Sequence, residues 1–475
     1  MSSMVWPDNR IPKKALYVLN KLKENGFESY VVGGCVRDSI LGRIPGDWDI
    51  TTSAKPEEVK RIFHRTIDTG IAHGTVTVMI DDEGFEVTTF RVDGTYEDHR
   101  HPDQVAFTPN LEEDLKRRDF TINAMAYSPD TGLVDLFGGV DDIREGRIRC
   151  VGNPVERFTE DALRMLRGVR FAGQLGFQME AATMEAIRAC ASTIGNVSAE
   201  RIREELTKLL LSDEPEKLML AEETGLCRVF LPEFSHMLHT EQNNPHHCYN
   251  VGEHSLHAVK NIQGLYGRLS KDELPYGGQF SEQKVNIIFV YAALLHDVGK
   301  PSRRQVDAEG IHHFHGHAPK GTEMAYEILK RLRFDNDTIR VVTNLIRFHE
   351  TRHNGDRRAM RRLVHKAGME TMPYLFVLQE ADICAQSGYE REEKLAALGE
   401  AERTFWEIRE KQEPVSIRDL AVTGKDIIAL GVQPGPVVGK ILDDLLELVM
   451  EDPAKNNRKL LLTETGKRIK IEHEG

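Results

Sequence analysis

Nowhere in its 475 residues does this chain carry a CxxC pair. Its six cysteines, Cys35, Cys150, Cys190, Cys227, Cys248 and Cys384, are scattered. That pattern suits thiols in a reducing cytosol and argues against a disulfide framework. Long apolar runs are missing too: stretches such as VNIIFVYAALL (Val285–Leu295) are too short to span a bilayer. The opening MSSMVWPDNRIPKK has no apolar core of signal-peptide type, so the expectation is a cytoplasmic protein with no membrane partner. No internal repeat or low-complexity tract is found, which excludes solenoids and arrays. Positive charge is in deficit, with a net charge of −13. Taken alone, the deficit argues mildly against a nucleic-acid partner, because phosphate contacts need local positive charge. Basic clusters exist nonetheless at KRIFHR (Lys60–Arg65) and RRAMRRLVHK (Arg357–Lys366), and they read equally as solvated helix faces.

What remains is an ordinary soluble composition, 29% charged and 40% hydrophobic, with room for three or four domains. The first ~150 residues mix helices and strands. Ile11 to Asn25 reads as a helix, and Tyr30–Val32 as a buried strand ending at Gly33-Gly34. Thr75–Ile80 and Phe85–Phe90 alternate as strands about an Asp-Asp-Glu-Gly turn. After Gly152 strand signals nearly vanish. Leu163, Leu166, Val169 and Ala172 share one helical face. NNPHHCYN (Asn243–Asn250) is a polar seam, a His-rich helical block follows to about Gly388, and LGVQPGPVVG (Leu430–Gly439) reads as a loop between helices. The expected fold is an α/β head with a mixed sheet and helices, followed by all-α domains. The divisions are head 1–150, neck 151–242, a third domain 243–395 and a tail 396–475.

Within YVVGGCVRDSILGRIPGDWDITTSA (Tyr30–Ala54), Asp47 and Asp49 are one residue apart. On a strand, residues i and i+2 point to one face. Paired carboxylates there repel unless a cation sits between them, and hard oxygen ligands at that spacing suit Mg²⁺ carrying substrate phosphates. Such ions activate an attacking hydroxyl and stabilise a leaving pyrophosphate. Gly33 and Gly34 would offer backbone N–H groups to a triphosphate. Glu86 in GFEVTTFR is the candidate third carboxylate. The competing reading is a turn with two solvated aspartates.

The order strand, Gly-Gly, Arg-Asp, short helix, paired Asp resembles the signature of polymerase-beta-like nucleotidyltransferases. It is closest to their class II branch of tRNA nucleotidyltransferases (CCA-adding enzymes) and bacterial poly(A) polymerases. RRDFTINAMAY (Arg117–Tyr127) is similar to the family's sugar- and phosphate-contacting segment. The resemblance implies that Arg117, Arg118, Asp119 and Asn123, with Arg37, surround the nucleotide. DLFGGVDDIREGRIRCVG (Asp135–Gly152) resembles the hinge after the catalytic head. RVDGTYEDHRHPDQVAF (Arg91–Phe107) resembles the flexible loop implicated in switching from C to A addition, with His101 following Arg100 where the usual pattern has paired arginines. The resemblance runs over about residues 15–230.

TEDALRMLRGVRFAGQLGF (Thr159–Phe177) is expected to be one helix, with Asp161 and Arg164 three apart on one face. An aspartate accepts from the exocyclic amine of cytosine or adenine, and an arginine donates to the neighbouring ring nitrogen. Uracil and guanine reverse both polarities. Leaving a buried Asp against a carbonyl costs several kcal/mol, about 10²–10⁴-fold in discrimination. The competing reading is an ion-pair network of Glu160, Asp161 and Arg164 on an exposed helix face. The family's E-D-x-x-R motif matches here position for position, and Arg167 and Arg170 join the expected nucleotide-binding set. SAERIREEL (Ser198–Leu206) resembles the following motif, with a supporting role.

A second site is expected around LLHDVGK (Leu294–Lys300). His296 and Asp297, with His254, His317, His349 and Asp382, stand at the intervals of the HD phosphohydrolase superfamily. The resemblance implies a metal site, with Mn²⁺, Ni²⁺, Fe²⁺ or Mg²⁺ as candidates, and His317 and His349 as the extra ligands of two-metal versions. His312, His313, His315 and His353 are expected bystanders. The site is either an active phosphohydrolase of RNA-end or 2′,3′-cyclic phosphates, or a vestige in a tRNA-holding body. Leu420–Leu462 resembles the tail of HD-bearing relatives, where Lys425, Gly435 and Gly439 either approach tRNA phosphates or form a plain helix-loop-helix. The expectation is a Mg²⁺-dependent tRNA nucleotidyltransferase using CTP and ATP, a monomer or homodimer. Its rivals are a poly(A) polymerase, an A-only enzyme, and an RNA-binding or regulatory HD protein with an idle head.

Overall fold

The computed structural model describes residues 11–93, 105–266, 280–352 and 355–474. The centre of the switching loop, with Arg100 and His101, lies outside the described residues, as does His353.

Four consecutive buried residues make β1 (Ser29–Val32) an inner strand of the head sheet. A strand buried on both faces reads as a continuous apolar run, and SYVV does so after its first residue. The other strands are β2 (Ile50–Thr52), β3 (Thr66–Gly70), β4 (Thr75–Ile80), β5 (Glu83–Thr89), β6 (Arg91–Asp93), β7 (Val105–Phe107), β8 (Met125–Ser128) and β9 (Gly132–Asp135). Seven of them form one mixed sheet in the order β3-β4-β5-β2-β1-β8-β9. β1 runs antiparallel to β2, with Tyr30 opposite Thr51, and to β8, with Val31 opposite Tyr127. β2 is parallel to β5, with Ile50 beside Val87. The helices of this part are α1 (Lys13–Glu24), α2 (Gly34–Ile40), α3 (Pro56–Ile62), α4 (Leu111–Lys116) and α5 (Gly139–Arg144).

Helices then take over: α6 (Pro154–Glu160), α7 (Leu163–Leu175), α8 (Ala181–Cys190), α9 (Ala199–Leu210), α10 (Leu218–Glu223), α11 (Cys227–Phe230) and α12 (Pro232–Leu238). The expected face of Leu163, Leu166, Val169 and Ala172 is buried on α7. The expected single helix over 159–177 is instead two. Asp161 caps the end of α6 in extended backbone (φ −141°, ψ 104°), and α7 starts afresh at Leu163. An aspartate there accepts the Leu163 N–H at 3.0 Å, satisfying one of the orphan donors of a helix start.

The chain divides into two compact units, Met1–Ser235 and His236–Gly475. The second contains α13 (Val251–Gln263), α14 (Glu282–Leu295), α15 (His317–Arg331), α16 (Asn336–Phe348), α17 (Arg357–Ala367), α18 (Met372–Ala385), α19 (Arg391–Glu410), α20 (Gly424–Ala429), α21 (Pro436–Glu451) and α22 (Arg458–Glu474). α14 and α18 are apolar all round and buried along most of their length, which makes them the inner helices. α20, α21 and α22 close a core of their own around Ile427, Leu445, Val449 and Leu461. The loop expected at 430–439 is shorter, because Pro436 opens α21 and takes Gly439 into the helix.

Gly299 follows α14 where backbones touch: a Cβ there would sit 2.2 Å from the His317 carbonyl oxygen and 2.6 Å from Gly321 N. Gly299→Ala is expected to destabilise the second unit by about 1–3 kcal/mol, the cost of overpacking rigid neighbours. Denaturant unfolding followed by circular dichroism checks this, and an unchanged midpoint would contradict the packing.

Candidate functional site

At the end of the head sheet, Val32 N–H donates to the Asp49 carbonyl at 3.0 Å and Gly33 N–H to the Met125 carbonyl at 3.1 Å. Three segments far apart in sequence meet there: the glycine turn, the paired aspartates and the RRDFTINAM segment. Gly33 has φ +81°, open to a residue without Cβ. A Cβ would also stand 3.0 Å from Arg118 Nη1, so the glycine makes room for that guanidinium. Because the Gly33 N–H is bound to Met125, the expected phosphate donors narrow to Gly34 and the amides that follow it into α2.

DWD precedes β2 rather than lying in it, yet the alternation holds. Trp48 and Ile50 are buried, Asp49 is half-buried and Asp47 is exposed. The β2–β5 pairing sets Glu86 alongside Asp49. Burial, then the Asp47 charge, push the Asp49 carboxyl up to about 6, with Arg118 opposing and Glu86 adding to the rise. Such crowding of carboxylates favours a cation, and hard oxygen donors fit Mg²⁺.

Arginines gather beside this acidic end. Arg37 donates to Asn123 Oδ1 at 2.8 Å and pairs with Asp38 at 2.9 Å. Arg37, Arg167 and Arg170 lie 5.3, 5.4 and 3.8 Å from the Phe171 ring centre. Asp119 accepts Arg167 Nε at 2.8 Å, and Arg170 pairs with buried Glu205. Arg117 holds buried Asp114 at 2.7 Å, and Asp114 also accepts from Thr51. Of the four side chains expected around the nucleotide, Arg118 therefore lies by Gly33, Asn123 is bonded to Arg37, Asp119 to Arg167 and Arg117 to Asp114.

Asp161 and Arg164 both make ion pairs. Asp161 accepts Arg201 Nη2 at 2.7 Å and Nη1 at 3.2 Å, while Arg164 pairs with Glu160 and donates to the Arg117 carbonyl at 3.1 Å. Arg201, in SAERIREEL, thus holds the Asp161 carboxylate of the E-D-x-x-R motif.

In the second unit all six expected ligands converge, and all are buried. His254 comes from α13, His296 and Asp297 follow α14, His317 opens α15, His349 ends α16 and Asp382 lies on α18. Asp297 stands between two histidine pairs. Its Oδ2 is 3.2 Å from His296 Nε2 and 3.6 Å from His254 Nε2; its Oδ1 is 3.1 Å from His317 Nε2 and 3.6 Å from His349 Nε2. Asp382 Oδ1 is 3.1 Å from His254 Nε2. Each ring's Nδ1 meets a backbone carbonyl, of Ala385, Ala293, Phe314 and Ile346 respectively. A carbonyl only accepts, so Nδ1 carries a hydrogen, and in the neutral ring Nε2 has a lone pair facing inward. His254 and His296 bring those atoms to 3.3 Å, as do His317 and His349. Lone pairs so opposed fit a cation between them, and the mixed N/O donor set fits Mn²⁺, Ni²⁺, Fe²⁺ or Mg²⁺. Of the expected bystanders, His312 and His313 are bonded elsewhere, to Glu241 and Asp307, and His315 stacks on His313.

Comparison with known proteins shows what the chain is similar to. Residues 29–149 match the poly A polymerase head domain, 176–238 an RNA and SrmB-binding site of polymerase A, and 316–465 tRNA nucleotidyltransferase domain 2. Over 453 residues, 95% of each chain, the sequence is 35% identical to the CCA-adding enzyme of Enterococcus faecalis. The chain belongs to the CCA-adding enzyme family. Identity to the Leuconostoc mesenteroides CCA-adding enzyme is 54% over 197 residues, a stretch spanning 42% of this chain and about half (49%) of that one. The crystal structure of the Bacillus stearothermophilus CCA-adding enzyme in complex with CTP is similar over 97% of this chain and 98% of its own, with TM-score 0.69 and 29% identity. The Thermotoga maritima CCA-adding enzyme complexed with tRNA shares the fold, with TM-score 0.56 and 19% identity over 97% of both chains.

Four residues at these sites went unnoticed in the sequence. Arg201 and Asp114 act through ion pairs 40 and 3 residues away in sequence. Lys300 Nζ lies 2.6 Å from Asp297, and Arg352 Nη2 lies 2.9 Å from Asp382. Lys300 sits in the quoted LLHDVGK and was the one most open to notice.

Asp119 supplies a pH test. Burial would raise its carboxyl, but the Arg167 guanidinium beside it holds it down at about 2. A depressed carboxylate stabilises the fold above its unfolded pKa and loses that contribution as pH falls through the folded value. Asp119→Asn is expected to cost on the order of 2 kcal/mol near neutral pH, with the deficit shrinking below about pH 4. Unfolding curves across that range check it, and a pH-independent deficit would contradict the ion pair as its source.

Proposed function

We propose that this protein adds or repairs the 3′-terminal CCA of tRNA from CTP and ATP without a nucleic-acid template. The observation that carries the reading is the meeting of Asp47, Asp49 and Glu86 with Arg118 at the glycine turn, in a chain whose family match covers 95% of its length. Asp47 and Asp49 would hold Mg²⁺, with Glu86 assisting. When bound, such ions activate the RNA hydroxyl and stabilise the leaving pyrophosphate.

The chain's own residues bind and orient. Gly34 and the amides after it, with Arg37, Arg118 and Asn123, hold the triphosphate, and Arg167 and Arg170 lend positive charge around Phe171. Asp161, still held by Arg201, accepts from the exocyclic amine of C or A on a remaining lone pair, and Arg164 donates to the adjacent ring nitrogen. UTP and GTP set a carbonyl against the Asp161 carboxylate where a donor is needed.

The buried His/Asp cluster we read as a metal-dependent phosphohydrolase of terminal or 2′,3′-cyclic phosphates at RNA ends. His254, His296, Asp297 and Asp382, with His317 and His349, would hold the metal, which when bound lowers the pKa of its water. Lys300 and Arg352, beside the two aspartates, are placed to neutralise a phosphate.

Incubating the protein with tRNA lacking its CCA end, with each NTP singly and together, tests the first activity. CTP alone should add C only, CTP with ATP should complete CCA, and an Asp47→Ala, Asp49→Ala pair should add nothing. Incorporation of AMP alone would overturn the reading in favour of a poly(A) or A-only enzyme. Arg201→Met should lower the CTP-over-UTP preference by about tenfold through a misdirected Asp161; an unaltered preference would remove Asp161 from base reading. For the second activity, 2′,3′-cyclic AMP with Mn²⁺, Ni²⁺ or Mg²⁺ should yield a phosphomonoester, and Asp297→Asn should not. Absence of hydrolysis of any RNA-end phosphate overturns it.

A further inference from the structure

Beside the His/Asp cluster lies a cavity of about 330 Å³, walled by the loop at 246–247 and helices α17, α18 and α19. Its inner lining is apolar and buried: Met360, Leu363, Phe376, Leu398 and Ala401. Several of its polar groups bond to the cluster or to one another. Arg352 lines the cavity and reaches Asp382 Oδ2 at 2.9 Å. Gln386 lines it and donates to Asp382 Oδ1 at 3.1 Å. Lys394, also on the wall, donates to Gln386 and to His246 Nδ1, each at 2.9 Å. His247 lies on the same wall with its ring 5.0 Å from that of His254, and its buried Nδ1 has no hydrogen-bond partner.

This arrangement describes a ligand with two ends. One is anionic and sits by Arg352, Lys394 and the cluster. The other is flat or compact, apolar on its faces and polar at an edge. The volume is at the small end of ligand cavities, roughly 300–1,000 Å³, too little for an acyl chain and enough for one heterocycle. On this wall the unpartnered His247 Nδ1 offers a hydrogen bond to a ring heteroatom.

We infer that this cavity seats the base of a nucleoside phosphate whose phosphoester faces the His/Asp cluster, so the second site takes single nucleotides or the last nucleotide of an RNA and discriminates against base-free phosphoesters. The inference rests on the phosphohydrolase reading of the cluster, and its test is separable from that reading because base binding needs neither metal nor turnover. The full-length, EDTA-treated protein is photolabelled with 8-azidoadenosine 2′,3′-cyclic phosphate, and labelled peptides are identified by mass spectrometry.

Label is expected on the segments that wall the cavity, around residues 246–247 and 391–403. Unlabelled 2′,3′-cyclic AMP should suppress it at concentrations about tenfold or more below those needed of ribose 5-phosphate. Ala397→Trp, on the half-buried rim, should abolish the label while circular dichroism and the thermal midpoint show an intact fold. Label confined to head peptides, label that survives Ala397→Trp in a folded protein, or equal competition by ribose 5-phosphate would overturn the inference. The phosphohydrolase reading is judged apart from this by metal-dependent phosphate release: a protein that labels in the cavity but hydrolyses no ester keeps the base seat and loses the reading.

Discussion

Two backbone hydrogen bonds at the C-terminal end of β1, from Val32 to Asp49 and from Gly33 to Met125, constrain the rest of the head. They are ordinary ladder bonds, each worth only about 1 kcal/mol. Their importance is geometric. They oblige a glycine turn, an acidic pair and an arginine-bearing segment to share one sheet end, within reach of charges that neither burial nor repulsion alone would bring together. Asp49 sits in that neighbourhood uncomfortably: its carboxyl is driven up to about 6 by burial and by Asp47. Arg118, occupying the space that a side chain at Gly33 would take, offsets part of the strain. A fold that accepts repulsion among acids at one point is prepared for a positive ligand there.

The second unit handles a similar problem with different chemistry. Six titratable side chains are buried together, and the desolvation of so many polar groups is offset by pairing each imidazole Nδ1 with a carbonyl at a helix end. Asp297 is held well below the usual carboxylate range: burial alone would raise it, but His296 and then Lys300 override that. The apolar helices α14 and α18 form a rigid frame, so the six side chains arrive from five separate elements yet come within a few ångströms.

Much of this was legible from residues alone. SYVV ending in Gly-Gly announces a buried strand and a turn because periodicity and φ freedom are local properties. The meeting of six His and Asp side chains in the second unit was legible because their spacing follows a known motif. What escaped was set by partners distant in sequence or by competition for them. Asp161 was expected on a helix with Arg164, but its carboxylate caps a new helix and binds Arg201, so the backbone breaks there. The pairing of Arg117 with Asp114, three residues back, was not read from the sequence. The Gly33 N–H was expected at a phosphate, but β8 takes it. A cavity made by α17, α18 and α19 leaves no trace in any one helix, since its apolar residues look like ordinary core.

The grip of Arg201 on Asp161 carries a consequence beyond the site itself. On the proposed reading, the carboxylate that tells one base from another is aimed by a side chain on α9, a helix whose own residues need never meet a nucleotide. Drift in that distant helix would retune which letters are written at the end of an RNA, leaving every residue in contact with the incoming monomer untouched. Fidelity here is stored one layer back from where it is exercised.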